Sequence, residues 1–594
     1  MQLRPSLLAR AVAAVLGGLL LASAFPEPGW WWLAAPGVGG LVVAVAGARV
    51  RTGALLGLLH GLAFFGVLLR WTAEYVGPVA YALAVAEALF VALTGALLVL
   101  VLRWVPRSAA GAPAGAWVAA GAARLCLQAA GAGAVWTGGE ALRARLPFGG
   151  FGWGRVAFSQ ADAPSVGLAA LGGAPLVSFA VATAGAAAAL AALRLAVAVG
   201  EDRAGRSGAP VRRPRGAAAV GAPLALAALL SVGGAVVPRP TSAEAGTLVV
   251  AAVQGDVPEP GLEFNAERRA VLDNHVRGTL QLAEDVAAGR APQPDVVVWP
   301  ENASDIDPFA NPDAAARIEE AATAVGAPVL VGTLVRGSRG TGLPAELPGA
   351  PDDALAADEL RNVVLVWDPE TGPGEVYAKR HPVPFAEQVP HRDFFRLFSD
   401  KVDLVRADMV PGERPGVLDV AGTTMGALIC FEVVEDGLVE DVVRGGAQVL
   451  VVPTNNATFG FTDESAQQLA VSRVRAVEQG RAVVHASTVG VSAVVSPDGS
   501  TGRTTELFTP DVLVQEVPLR TSLTPAARAG VMPEVVIGLL GVFAVLAGAL
   551  AGRRRQGDGS ARAAAPETSG PRDDEAEQPV GASAGGATGA RGSA

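Results

Sequence analysis

Cysteine is almost missing from this chain: 594 residues hold two, Cys126 and Cys430. That is too few for a disulfide framework. The two also fall in unlike regions, one in a long apolar run and one in a mixed polar segment, so no bridge between them is expected. Histidine is scarce as well. The five, His60, His275, His381, His391 and His485, lack the spacing of metal ligands, and neither a metal nor an organic cofactor is implied. Charged residues make up 17% of the chain, with a net charge of −10. The basic ones sit at the edges of apolar runs rather than along a groove, which speaks against a nucleic-acid partner. No repeat of fixed period is present.

Apolar residues are abundant, 51% of the total, and gather in the first 240 positions and one late segment. Runs long enough to cross about 30 Å of hydrocarbon, at about 20 residues each, lie near 7–25, 30–48, 53–74, 79–102, 113–136, 165–194, 217–237 and 533–552. Eight membrane-spanning helices are expected. Ala22, Ser23 and Ala24 resemble a signal-peptide cleavage site, but the close succession of further runs argues for an uncleaved first helix. Arginines mark the side that stays in the cytoplasm: Arg4 and Arg10, Arg49 and Arg51, Arg103 and Arg107, the group from Arg203 to Arg215, and Arg553 to Arg555. They flank alternate loops, so both termini are expected inside and the long segment before the last run outside.

This reading divides the chain into four parts. Residues 1–240 form a membrane domain with seven helices, 241–530 an extracytoplasmic domain, 531–553 the eighth helix and 554–594 a disordered cytoplasmic tail poor in large apolar residues. In the second part the runs TLVVAAVQGD, DVVVWPE, PVLVGTLV, NVVLVWDP, MGALICFE, AQVLVVPTNN, RAVVHAST and SAVVSPDG alternate with helical stretches. The clearest of these are 267–288, with Asn265 as a half-supported N-cap, and 463–480, ending at Gly480. An α/β layered domain is the expected fold. Residues 337–360 read as a surface loop. The loop 389–411 carries Phe394, Phe395, Leu397 and Phe398 between Arg392, Arg396 and Lys401, and it either packs on the core or forms a lid that dips into lipid headgroups.

Glu301, Lys379 and Cys430 each stand at or just beyond an apolar β-branched run, where functional side chains gather in α/β sheets. A thiol needs a base to become a nucleophile. Glu301, beside Trp299, is suited to that role, with partial burial expected to raise its pKa. A fixed ammonium such as Lys379 can stabilise the oxyanion that follows attack on an acyl carbonyl. Singly, each has a plain structural explanation; together they describe acyl transfer.

The motifs VQGDVP, VVWPE, YAKRHPVPFAEQVP, ICFE, PTNNATFG, RVRAVEQGRAVVHASTVGVSAVVSPDG and LTPAARAG resemble the nitrilase, or carbon-nitrogen hydrolase, superfamily. With the apolar helices around them, the chain resembles the apolipoprotein N-acyltransferase family. The resemblance implies an α-β-β-α sandwich in which Glu301 is the general base, Lys379 the oxyanion stabiliser and Cys430 the nucleophile. It makes Glu387 a second acid that positions Lys379, with Phe431 and Glu432 in support and Phe264 at a substrate-facing position, while Phe394 and Phe398 are read as substrate contacts from the loop 389–411 itself. It further implies a bacterial inner-membrane enzyme with a phospholipid acyl donor and a diacylglyceryl apolipoprotein acceptor. Phe264 stands where the family has Trp, Phe431 where it has Tyr, Ala386 where it has Gly and Thr458 where Trp is common. A membrane-tethered amidase and a transporter with a degenerate domain are the rival readings. In the membrane part, Arg124 lies within a run, Glu140 and Arg143 either belong to a Trp-x-x-x-Glu pattern with Trp136 or form a helix-end ion pair, and His60 is expected to be packed and neutral.

Overall fold

The computed structural model describes residues 6–103, 114–204, 215–257, 268–336, 347–348, 359–405 and 407–563. Phe264, Asn265, most of 337–360 and the tail beyond 563 lie outside the described residues. The N-terminal part consists of α1 (Leu7–Ala22), α2 (Ala34–Val45), α3 (Val50–Leu68), α4 (Thr72–Val76), α5 (Tyr81–Val101), α6 (Ala114–Arg143), α7 (Ala169–Ala204) and α8 (Arg215–Val232). Further helices are α9 (Arg268–Ala287), α10 (Pro312–Val325), α11 (Arg392–Arg396), α12 (Asp436–Arg444), α13 (Glu464–Gln479), α14 (Pro525–Ala529) and α15 (Met532–Ala563), the last of which returns to pack on α5, α6 and α7. Small residues set the spacing. A Cβ on Gly18 or Gly57 would collide with the carbonyls of His60 and Val91, so these glycines let helix backbones touch.

Among the described residues, four segments are long and apolar enough to cross a membrane, not the eight expected: Val50–Leu68, Thr72–Val101, Pro164–Val197 and Met532–Ala551. Leu7–Ala22, Trp31–Val45 and Val220–Val236 are apolar but shorter; the first two, at about 1.5 Å per residue, do not reach the hydrocarbon thickness. The second run is trimmed by a 3-10 turn at Trp31–Leu33 and by Ala46, which leaves helical geometry at ψ 120°. Helix α6 is 30 residues long but carries Arg124, Glu140 and Arg143. The last helix continues to Ala563, beyond the end expected at 552, since no proline intervenes before Pro566.

The remaining chain folds into two six-stranded sheets. The first holds β1 (Thr247–Gln254), β2 (Val296–Val298), β3 (Val329–Arg336), β4 (Leu360–Asp368) and β5 (Gly372–Ala378). The second holds β6 (Val417–Val420), β7 (Thr423–Ala427), β8 (Val449–Thr454), β9 (Ala482–Ser487), β10 (Ala493–Val495) and β11 (Thr501–Thr504), while β12 (Asp511–Pro518) crosses back to pair with β1. In each sheet the central pairs are parallel: β1, β2 and β3 in one, β7, β8 and β9 in the other. Alternation decides the layers. Val250, Val298 and Val364 meet Met425, Val451 and Val484 between the sheets, whereas Ala251, Val297 and Val331 face the other way, toward Leu272 of α9 and Ile318 of α10. Leu450, Val452 and Val483 share a core with Val474 of α13 and with the membrane helices. One helical layer is thus pressed between a sheet and the bundle.

Ion pairs fasten that layer. Arg475 of α13 is fully buried and donates to the Val433 carbonyl at 2.9 Å, the Val434 carbonyl at 2.7 Å, Asp436 at 2.7 Å and Glu478 at 2.5 Å. Arg155, from the loop after α6, bonds Asp436 at 2.7 Å and Glu534 of α15 at 3.3 Å. Helix α7 breaks at Gly172 and Gly173, and Glu478 accepts from the amide of Ala174, where the helix restarts, at 3.3 Å. Glu435 is half-buried beside this cluster; desolvation and then Asp436 push its carboxyl up to about 7, against Arg155 and Arg475.

Arg475→Leu is expected to destabilise the protein by about 3–5 kcal/mol, because it leaves the Val433 and Val434 carbonyls without this donor and takes the guanidinium charge away from Glu478 and Asp436. The measurement is the thermal midpoint in detergent, and an unchanged midpoint would refute the role. Glu435 also sets a pH slope. The folded protein holds this proton to higher pH than the unfolded chain, so stability falls as pH rises from about 4.5 to about 7 and then levels off. Glu435→Gln is expected to flatten the slope in chemical-denaturation titrations across that window. A slope that survives the substitution assigns the titration to another group.

Candidate active site

The C-terminal ends of strands from both sheets open on one side. Glu301 lies just beyond β2, Lys379 directly follows β5, Cys430 comes just after β7 and Thr454 ends β8. Gly332 of β3 makes the first turn possible, since a Cβ there would collide with the Pro300 carbonyl.

Lys379 is 2% exposed. Its Nζ donates to Glu301 Oε1 at 3.0 Å and to Glu387 Oε1 at 2.8 Å. Burial works against its charge, but the two carboxylates outweigh burial and hold its pKa well above the ordinary lysine value. Other donors complete the carboxylates. Asn362 Nδ2 reaches Glu301 Oε1 at 2.6 Å, the Asn455 amide reaches Glu301 Oε2 at 3.0 Å and the Val383 amide reaches Glu387 Oε2 at 2.7 Å.

Cys430 has a φ of 54°, a left-handed conformation that costs a residue with a side chain roughly 1 kcal/mol or more. It opens a 3-10 turn, Cys430–Val434, at the end of its strand. Burial first, and then the Glu301 charge, push the thiol up, while Lys379 draws it down. Its Sγ lies 3.1 Å from Thr454 Oγ1 and 3.5 Å from Gln468 Nε2.

Glu432 ties the two halves of the site together. Fully buried, it accepts from the amides of Ile429 at 2.7 Å, Arg380 at 2.7 Å and His381 at 3.1 Å, and from Tyr377 Oη at 2.9 Å. The turn that carries Cys430 and the segment that carries Lys379 therefore share one carboxylate. Burial raises its pKa, with Lys379 and these donors opposing. Phe431 points to the membrane side, stacked on Phe151 at 5.4 Å, Trp153 at 6.1 Å and His381 at 6.3 Å. Trp71, just beyond α3, touches Trp153 at 5.3 Å and Phe459 at 4.8 Å.

The structure brings Glu301, Lys379, Glu387, Cys430, Phe431 and Glu432 together. Phe264 lies outside the described residues. Phe394 and Phe398 do not join them: they meet edge to face at 5.3 Å and are 55% and 74% exposed, whereas Phe395 turns inward onto Phe385 and Phe148. Arg143 pairs with Glu87 of α5 at 3.0 Å rather than with Glu140, which instead accepts from Trp136 Nε1 at 2.9 Å and the Val156 amide at 2.8 Å. The sequence pattern shows neighbours on one helix but not the partner across the bundle. His60, His275 and His485 are buried, each with one ring nitrogen bonded, to Ala14 O, Val271 O and Ser472 Oγ. Asn362, Thr454 and Gln468 are site residues that sequence reasoning passed over. A further signal was there to use: Lys379 and Lys401 are the chain's only lysines.

Among solved structures, a cysteine-to-alanine mutant of an amidase of the nitrilase superfamily from Nesterenkonia aligns with 47% of this chain and 93% of its own, at 19% identity and a TM-score of 0.33. Residues 17–187 match the model of the apolipoprotein N-acyltransferase N-terminal domain, and residues 249–523 match that of the carbon-nitrogen hydrolases. The apolipoprotein N-acyltransferase of Azotobacter vinelandii is 30% identical over 66% of this chain and 68% of its own. That of Mycolicibacterium smegmatis is 43% identical over 90% of this chain and 84% of its own. Matched at that identity along nearly its whole length, with both parts recognised, the chain belongs to the apolipoprotein N-acyltransferase family.

Proposed function

We propose that the protein transfers a fatty acyl chain from a membrane phospholipid to the N-terminal amine of a lipoprotein's diacylglyceryl-cysteine, by way of a thioester on Cys430. The carrying observation is the buried Lys379 ammonium, held between Glu301 and Glu387 beside a cysteine on a strained turn.

In the first half-reaction Glu301 takes the Sγ proton and the sulfur attacks the phospholipid ester carbonyl. Lys379 offers its charge to the oxyanion. Collapse breaks the ester C–O bond, and the departing lysophospholipid oxygen takes the proton back from Glu301. In the second half-reaction the lipoprotein amine attacks the thioester carbonyl, its proton passes to Glu301, the C–S bond breaks and an amide remains. The thiolate then recovers the proton from Glu301, and no net charge is left behind. Glu387 acts through Lys379, whose position it fixes. Phe264, Phe394 and Phe398 are assigned to the acyl donor, the last two from the exposed segment outside the cluster around Cys430.

The helices hold the site at the bilayer, where both substrates are anchored. In this reading the apolar helices keep both termini in the cytoplasm and the catalytic part on the outer face of a bacterial inner membrane, which the arginine distribution supports. The segment 389–411, with exposed Phe394, Leu397 and Phe398, touches the headgroup layer. In the same reading, the chain after the last span lies on the cytoplasmic side.

Intact mass spectrometry after incubation with phospholipid is expected to show one hydroxylamine-labile acyl adduct, absent from Cys430→Ala. An adduct that persists in the variant would remove Cys430 from the reaction. Glu387→Gln keeps the shape but removes a charge from Lys379, and it is expected to lower the acylation rate by roughly 10- to 100-fold with little change in lipid affinity. Single-turnover kinetics check this, and an unaltered rate would overturn the positioning role.

A further inference from the structure

Thr454 has one hydroxyl proton and two neighbours that want it. Its Oγ1 is 2.8 Å from Gln468 Oε1 and 3.1 Å from Cys430 Sγ. Thr454 and Gln468 are fully buried, and Asn456 is 2% exposed, so the arrangement of donors is decided within the protein. Gln468 Oε1 also accepts from Asn456 Nδ2 at 3.0 Å. Two donors on that oxygen fix the amide's orientation and leave Nε2 facing the sulfur at 3.5 Å. Asn456 is itself held: Nδ2 also reaches Glu464 at 2.6 Å, and Oδ1 accepts from Ser487 Oγ at 2.5 Å. Gly490 keeps the space for this cluster, since a Cβ there would collide with Ser465 Oγ.

Two proton arrangements fit this geometry. In the thiol state Thr454 donates to Gln468 Oε1 and accepts the S–H on its free lone pair. In the thiolate state the hydroxyl turns to the sulfur, which also receives the Gln468 N–H. Gln468 Oε1 keeps the Asn456 donor, so the switch leaves no buried acceptor bare. We propose that Thr454 and Gln468 are the hydrogen-bond donors that receive the Cys430 thiolate, with Thr454 switching its proton from Gln468 to the sulfur as the thiol ionises. Asn456 is a positioning residue that makes the switch free of an orphaned oxygen. The proton leaves Sγ for Glu301 and the electron pair stays on sulfur. When the thioester forms, sulfur loses its charge and the Thr454 proton returns to Gln468, so the cradle favours the nucleophile and releases the product state. This inference rests on Cys430 being the nucleophile.

The test is the rate of Cys430 alkylation by iodoacetamide against pH, on the full chain in detergent with Cys126→Ala so that one thiol reports. Thr454→Val keeps the shape and removes the hydroxyl, and Gln468→Met removes the N–H. Each is expected to move the alkylation midpoint to higher pH and slow alkylation at pH 8 by roughly 10- to 100-fold, with Thr454→Ser restoring the parent profile. The kcat for acyl transfer should fall with KM unchanged. If either variant fails to fold, as judged by its thermal midpoint, the other decides. A folded variant that keeps the parent profile overturns the proposal, as does a Thr454→Ser protein as impaired as Thr454→Val. An acyl adduct formed by Cys430→Ala instead overturns the underlying assignment of the nucleophile, so the two failures are distinguishable.

Discussion

A single ammonium in a dry place governs the catalytic part of this molecule. Lys379 cannot be buried without counter-charge, so Glu301 and Glu387 must both be present, and each of them brings in further donors from Asn362, Asn455 and Val383. Those donors come from both sheets: Asn362 from the first, Asn455 from the end of β8 in the second. The two sheets are therefore locked in register by electrostatics as well as by the apolar seam between them. Removing one partner costs more than the pair contributes, since a lone buried charge remains. That asymmetry makes the site intolerant of partial change.

Glu432 extends the same logic to Cys430. A buried carboxylate that accepts from Ile429, Arg380 and His381 sets the distance between the cysteine turn and the lysine segment. Behind the turn, Arg475 holds the carbonyls of Val433 and Val434, and Arg155 reaches in from the membrane helices to Asp436. The left-handed Cys430 is thus constrained from both sides, and its strain is sustained by contacts that include the membrane part.

How much of this was legible depended on what each residue's neighbours are. The strands could be read because β-branched runs such as VVVW and VLVV stand between polar stretches, and the triad because each member stands at or just beyond an apolar run. Glu387 was legible through its motif. Thr454 was not, since a threonine in a strand is an ordinary β-former. Gln468 was hidden by the texture of α13, whose QQLAVSRVRAVEQ reads as a helix with a polar exposed face. It is in fact buried nearly all round, including Arg475 and Gln479, because sheet and membrane helices cover both sides of it. The Arg143–Glu87 pair joins residues on separate helices, which no local pattern reveals. The count of spans was misjudged because hydropathy reports composition and not where a helix stops, as at Ala46.

The break in α7 has a consequence for how the molecule works. Its restart at Ala174 is capped by Glu478, a residue of the helix that also carries Arg475. A membrane helix thus begins, electrically, on the enzyme. The sulfur of Cys430 is then held at a fixed distance from that helix, because tilting the sheet part would uncap the helix and bare a buried carboxylate. Such an arrangement works as a depth gauge. Under the proposed reaction, the ester that reacts is the one whose carbonyl reaches that level.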